Sequence, residues 1–131
     1  MLTAVVFLGA GLGGVLRWYV GMAVARWLGA SFPWGTLLVN ISGSTAMGLF
    51  AALFFSRTGE GASYAGIWQT ARLFVLTGIL GGYTTFSAFS LETIGLWERE
   101  EYFAAAGYCV SSVVLSFTGL VIGLLIARSL G

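Results

Sequence analysis

Charged side chains divide this sequence into long apolar segments. Residues 27–56, 73–91 and 102–127 carry no charge, and Arg17 is the only charged side chain among residues 1–25. A helix of about 20 apolar residues is long enough to cross the hydrocarbon core of a bilayer. The sequence therefore predicts an all-α membrane protein with four transmembrane helices, at Leu2 to about Ala25, 34–56, about Ala71 to Trp97, and Tyr102 to Ala127.

The composition supports one membrane domain and argues against an enzyme. Of the 131 residues, 58% are hydrophobic and 8% are charged, and the mean hydropathy is +0.94, values far outside those of soluble domains. Residues 1–131 are therefore taken as a single four-helix domain. The chain has no His, Lys or Asp and a single Cys109, so the usual general bases and metal clusters are missing. A net charge of +1 without a basic run gives no footprint for nucleic acid.

The third predicted helix contains residues that weaken a helix. Gly81-Gly82 is followed by Thr84-Thr85 in the middle of the uncharged run. Glycine accepts almost any backbone angles, and threonine hydroxyls can satisfy backbone groups that a helix no longer pairs. Broken backbone at membrane depth is tolerated only where protein or a water-filled cavity surrounds it, and it often marks an ion or substrate site. The pattern predicts a buried, discontinuous third helix.

Polar side chains recur every four residues on two other predicted helices. On the second and fourth helices they are Thr36, Asn40, Ser44 and Tyr108, Ser112, Ser116. This spacing places each set along one helical face. Interhelical hydrogen bonds would account for the hydroxyls, whereas an amide is costlier to bury. The two stripes are expected to face each other or a narrow aqueous track.

The arginines show almost no preference for one side of the membrane. With four spans, Arg57, Arg72 and Arg128 lie on the side of the termini, and Arg26 and Arg99 lie opposite with Arg17 nearer to them. The positive-inside rule orients a chain by an excess of such charges. A chain without that excess can insert both ways, which predicts a dual-topology, antiparallel homodimer with its twofold axis in the membrane plane.

Three motifs resemble the Fluc/CrcB fluoride channels over nearly the full length of the chain. They are the glycine-rich start running into Arg17-Trp18, the segment Pro33-Trp34-Gly35-Thr36-Leu37-Leu38-Val39-Asn40, and Gly81-Gly82-Tyr83-Thr84-Thr85-Phe86-Ser87-Ala88-Phe89-Ser90. The third is the most specific. Tyr83 and Ala88 depart from the family, which more often has Leu and Thr there.

The resemblance implies a dual-topology dimer in the cell's inner (plasma) membrane, with two antiparallel fluoride pores and a structural sodium ion at the dimer centre. By motif, Gly81 and Thr84 look like the residues whose backbone carbonyls bind sodium, two from each chain. Carbonyls freed by an unwound helix are hard oxygen ligands, which agrees with that assignment.

The resemblance also implies roles for the pore residues. Phe86 and Phe89 look like the aromatic box residues, which lie three apart and share a helical face, and Asn40 looks like the pore amide. The hydroxyl track corresponds to Tyr108, Ser112 and Ser116. Fluoride is strongly hydrated, so a pore must replace its water with donors, and Thr36 adds another hydroxyl. Phenyl edges carry partial positive charge and can face an anion.

Two other functions are compatible with a four-helix membrane protein of this size. A proton-coupled exporter needs a titratable carboxylate near the midplane, for which Glu92 is the only candidate. A non-transporting assembly subunit would use glycine-rich helix contacts but would leave the stripe of Thr36, Asn40 and Ser44 unexplained. The sequence does not assign a role to Glu92 or Arg17.

Overall fold

In the computed structural model, which describes residues 1–56 and 65–130, the described residues form a helical bundle. The elements are α1 (Leu2–Leu28), α2 (Trp34–Ser56), α3 (Ala65–Arg72), a π-helical segment (Leu73–Leu80), α4 (Gly81–Tyr83), α5 (Phe86–Glu98) and α6 (Tyr102–Ser129). Within these ranges, four stretches are long and apolar enough to cross a membrane, namely Leu2–Leu28, Trp34–Phe55, Gly66–Glu98 and Tyr102–Ser129. The prediction of four transmembrane helices is confirmed.

The third span begins earlier than the sequence predicts. Residues 57–72 are the longest polar segment of the sequence, which predicts a loop that ends in a short interfacial helix. The helical end agrees with α3, which starts at Ala65 and continues into the π-helical segment. The span therefore starts at Gly66 rather than near Ala71. The remainder of the predicted loop, residues 57–64, lies outside the described residues.

The predicted break in the third span is present, and it lies at the two threonines. Thr84 has φ −77° and ψ 157°, and Thr85 has φ −153° and ψ 126°, so both are extended. The expectation that Gly81-Gly82 also unwinds is wrong, because both glycines are helical in α4. Their helical conformation leaves the break two residues long.

Glycines in the third span serve close packing against α1. A Cβ atom at Gly82 would lie 2.9 Å from the Cα of Ala10, and one at Gly78 would lie 2.9 Å from the Cα of Gly9. On α1, a Cβ atom at Gly13 would lie 2.8 Å from the backbone nitrogen of Tyr83. Side chains on either surface would therefore separate the two helices, as at other small-residue contacts in membranes.

The second and fourth spans pack in the same way. A Cβ atom at Gly48 of α2 would lie 3.0 Å from the backbone nitrogen of Leu124, and one at Gly123 of α6 would lie 2.8 Å from that of Leu49. This close approach brings the polar stripes of α2 and α6 to neighbouring positions. Most large apolar side chains point outwards from the bundle, as expected where lipid is the solvent.

Candidate functional site

The break in the third span is held by the side chain of Asn40 on α2. The Asn40 amide nitrogen donates to the Thr85 carbonyl at 3.0 Å, and the Thr85 N–H donates to Asn40 Oδ1 at 2.8 Å. The backbone N–H and carbonyl of one residue are thus both paired by one amide side chain. This pairing offsets the cost of an exposed peptide at membrane depth, and it explains why an Asn is present in the second span.

Hydrogen bonds at the break leave two backbone carbonyls without their helical partners. In an α-helix the N–H of residue i+4 bonds to the carbonyl of residue i. The Thr85 N–H, which would bond to the Gly81 carbonyl, is taken by Asn40. The Ala88 N–H, which would bond to the Thr84 carbonyl, is taken by Thr85 Oγ1 at 3.2 Å as an N-cap of α5. Gly81 and Thr84 are the two residues whose carbonyls the resemblance assigns to sodium.

Gly81 faces open space in the single chain. A Cβ atom at this position would have Leu76 O, 3.6 Å away, as its nearest neighbour, which is an ordinary contact distance. Packing within the chain therefore does not require a glycine here, in contrast to Gly78 and Gly82 on either side. Gly81 is also exposed, so this part of the surface is accessible to a group from outside this chain.

A cavity of about 480 Å³ lies beside the break, between α2, α5 and α6. Its lining residues are Asn40, Ser44, Gly81, Thr84, Thr85, Phe86, Phe89, Ser112, Val113, Ser116 and Phe117. The rings of Phe86 and Phe89 are 5.5 Å apart between centroids, so the two share a face as predicted. Phe89 is buried whereas Phe86 is 77% exposed, which places one ring inside the bundle and the other at its surface.

Two serine hydroxyls line this cavity without a protein partner. Ser112 and Ser116 have buried Oγ atoms that make no hydrogen bond to the described residues. Buried polar groups are normally satisfied, and each exception calls for an explanation. Both serines belong to the cavity lining and each has a proton to donate, as expected of a donor-lined passage, although their oxygen atoms are themselves buried in this structure.

A half-buried carboxylate lies between the other two predicted hydroxyl residues. Thr36 Oγ1 donates to Glu92 Oε1 at 2.7 Å, and the Tyr108 hydroxyl donates to Glu92 Oε2 at 2.6 Å. Tyr108 is fully buried, and its ring packs on Phe89 with 5.3 Å between centroids. Among the described residues Glu92 makes no ion pair with Arg17. Its carboxylate is held by the hydrogen bonds from Thr36 and Tyr108.

The carboxylate also lines a second cavity, of about 370 Å³, near the connections between α1 and α2 and between α5 and α6. Thr36 and Arg99 line the same cavity. The Arg99 guanidinium donates to the Ser31 carbonyl at 3.0 Å and to Glu101 at 3.1 Å, which ties the two connections together. Glu92 lines this outer cavity, Phe89 lines the one beside the break, and Tyr108 contacts both residues.

The structure brings the residues of the predicted site together in two groups. Around the cavity beside the break are Gly81, Thr84, Asn40, Phe86, Phe89, Ser112 and Ser116, whereas Thr36 and Tyr108 meet at Glu92. Sequence reasoning missed Thr85 as the partner of Asn40 and gave Glu92 no role. A lone carboxylate at the end of an uncharged run was a signal for Glu92. The pairing of Thr85 with a residue 45 positions away had no local signal.

Comparison with known proteins identifies one family over most of the chain. Residues 4–124 match the family described as CrcB-like protein, Camphor Resistance (CrcB). The chain is 52% identical over 125 residues to "Fluoride-specific ion channel FluC 2" of Nitrobacter hamburgensis, covering 95% of each protein. It is 48% identical over 120 residues to "Fluoride-specific ion channel FluC" of Nitrobacter winogradskyi, covering 92% of this chain and 90% of the relative. A protein of the same name from Methylobacterium nodulans is 50% identical over 129 residues, or 98% of each chain.

Proposed function

This chain belongs to the CrcB family of fluoride-specific ion channels, and from that membership we propose that it conducts fluoride passively out of the cell. The family resemblance predicted from sequence is confirmed, as is the prediction that the chain is not an enzyme, since its relatives are named as ion channels. With four candidate spans, it is a multi-pass membrane protein. We place it in the inner (plasma) membrane, where a fluoride leak relieves toxicity.

The observation that carries this proposal is a cavity lined by two serines without a hydrogen-bond partner and by two phenyl rings. Ser112 and Ser116 supply donors, and Phe86 and Phe89 line the same cavity. Hydroxyl donors and phenyl edges attract a small anion without the trapping effect of a fixed positive charge. No Arg lines this cavity, whose lining residues are all described. An anion can therefore be dehydrated there and still leave.

The membrane potential sets the direction of flow. A negative interior favours exit of an anion by about 2.3 kcal/mol per 100 mV. Hydrofluoric acid enters a cell as a neutral molecule and dissociates inside, so a passive path is sufficient to lower internal fluoride. The proposed channel needs no coupling to protons or ATP.

We further propose that the working unit is an antiparallel homodimer with a structural sodium ion at its centre. The donor chemistry fits: the Gly81 and Thr84 carbonyls have lost their helical partners, and carbonyl oxygens suit a hard cation. Gly81 lies at the open surface of the chain, where a second copy can approach. When bound, sodium would supply positive charge that holds the carbonyl dipoles of two copies together.

Fluoride efflux from liposomes tests the proposed function directly. Purified protein in vesicles loaded with potassium fluoride should release fluoride to an electrode when valinomycin sets the potential, and matched vesicles with potassium chloride should release no chloride. Phe86→Ile removes the ring but keeps apolar volume at an exposed position, so efflux should fall at least tenfold while the oligomer persists.

The other outcomes of this experiment distinguish the alternative functions. No fluoride release from the wild-type protein would reject the channel. Release that requires a pH gradient and is lost in Glu92→Gln would instead favour a proton-coupled exporter. Equal behaviour of wild type and Phe86→Ile would contradict the role of the rings.

A further inference from the structure

Tyr83 ends the helical part of the third span immediately before the break and is anchored to α2. The side chain is 8% exposed, and its hydroxyl lies 3.0 Å from Ser42 Oγ. It lines neither cavity. A polar hydroxyl buried away from the conduction path therefore has a specific partner on the helix that also carries Asn40.

The direction of this hydrogen bond follows from the other bonds of Ser42. Ser42 Oγ lies 2.7 Å from the Leu38 carbonyl and 3.2 Å from the Val39 carbonyl, both of which are acceptors. A serine hydroxyl has one proton and two lone pairs. The Ser42 hydroxyl donates its proton to the backbone of α2. The Tyr83 hydroxyl is therefore the donor to Ser42.

Packing around Gly43 reinforces the same contact. A Cβ atom at Gly43 would lie 3.0 Å from the Cδ1 atom of Tyr83 and would also clash with the methyl group of Thr84. The break and α2 are thus in direct van der Waals contact at this position. Gly43 therefore allows the Tyr83 ring to approach α2 closely.

Two anchors on α2 therefore flank the Thr84 carbonyl. On one side Tyr83 is bonded to Ser42, and on the other Thr85 is bonded to Asn40. The Thr84 N–H and hydroxyl both turn back to the Leu80 carbonyl, at 3.0 Å and 2.9 Å. Only the carbonyl of Thr84 remains without a partner in these contacts, and its position is set by the anchors before and after it.

We propose that Tyr83 and Ser42 form a latch that positions the Thr84 carbonyl and thereby raises the affinity of the central site for sodium. This inference rests on the sodium proposed above. Tyr83 is a positioning residue, since it acts through Thr84 and does not touch the ion. Without the hydrogen bond between Tyr83 and Ser42, the Thr84 carbonyl is positioned only through the pairing of Thr85 with Asn40. Sodium must then order this carbonyl when it binds.

A sodium titration of thermal stability tests the latch. The purified protein is unfolded in detergent over a range of NaCl concentrations, with N-methylglucamine chloride holding the ionic strength constant. Tyr83→Phe should raise the half-saturating sodium concentration about fivefold, the factor that corresponds to one hydrogen bond of about 1 kcal/mol. Ser42→Ala should give a similar shift, and the double variant should add little because both changes remove one interaction.

The controls separate positioning from general stability. Tyr19→Phe, at a tyrosine that is 56% exposed on α1, should leave the sodium dependence unchanged. If Tyr83→Phe lowers the melting temperature equally without sodium and at saturating sodium, with the same half-saturation, the latch is overturned. Ser42→Ala, on the surface of α2, gives the same decision if Tyr83→Phe yields no folded protein. A wild-type protein whose stability ignores sodium would overturn both the latch and the proposed sodium.

Discussion

Each oxygen of the Glu92 carboxylate accepts a hydrogen bond, and this distinguishes the four predicted hydroxyl residues from one another. Thr36 and Tyr108 donate to the carboxylate, whereas Ser112 and Ser116 have no protein partner in the described part of the chain. The spacing of these residues was predictable from sequence. Which of these residues would bond to Glu92 was not predictable, because Glu92 lies on a different helix and its position depends on how α5 packs against α2 and α6.

Removing the Tyr108 hydroxyl should destabilise the protein. Tyr108→Phe leaves Glu92 Oε2 without its donor at a half-buried position, and an unsatisfied buried acceptor costs about 1–3 kcal/mol. The free energy of unfolding, measured by denaturant titration in detergent, should fall by that amount. Tyr102→Phe, at an exposed tyrosine on the same helix, is the matched control. Equal stability of Tyr108→Phe and wild type would mean that the hydrogen bond contributes nothing.

At the scale of elements, the break in the third span shows what local sequence can and cannot predict. The occurrence of a break was predictable, because glycine and threonine cluster within an apolar run. Its location was not, because Gly82 is needed for contact with Ala10 on α1 and stays helical. The extended conformation of Thr85 depends on Asn40, which supplies both a donor and an acceptor from a distant helix.

Adjacent glycines on α1 should respond differently to the same substitution. Gly13→Ala places a Cβ atom against the backbone of Ile79 and Tyr83, so α1 must move away from the third span at a cost of about 1–3 kcal/mol. At Gly14 nothing lies within 4 Å of the added atom, and Gly14→Ala should be neutral or slightly stabilising because Ala favours a helix. Thermal unfolding of the two variants in detergent provides the comparison. A loss at Gly14 as large as that at Gly13 would contradict the packing assigned to α1.

At the scale of the whole molecule, Phe86 is exposed at the surface of the bundle whereas Phe89, one helical turn further on, is buried. A large ring that is 77% exposed lies next to a cavity with unpartnered donors. Hydropathy was sufficient to predict the number of spans. It could not predict which helical faces meet, since lipid-facing and helix-facing positions are almost equally apolar in this chain.

The even distribution of arginines should produce two orientations in one membrane. With Cys109→Ser as background, Ala30→Cys places a thiol in the exposed connection between α1 and α2. A membrane-impermeant maleimide should label about half of the protein in sealed membrane vesicles and the rest after permeabilisation, because the sequence predicts three arginines towards each side and so favours neither orientation. Labelling from one face alone would contradict the antiparallel dimer.

The pairing of Asn40 with Thr85 also bears on biosynthesis. Asn40 precedes Thr85 by 45 residues, so the ribosome delivers the amide to the bilayer before it makes the peptide that the amide will hold. Asn40 is therefore already present when the break enters the translocation machinery. In a circular permutation that reversed this order of synthesis, the two extended threonines would enter the lipid before Asn40 could pair with Thr85.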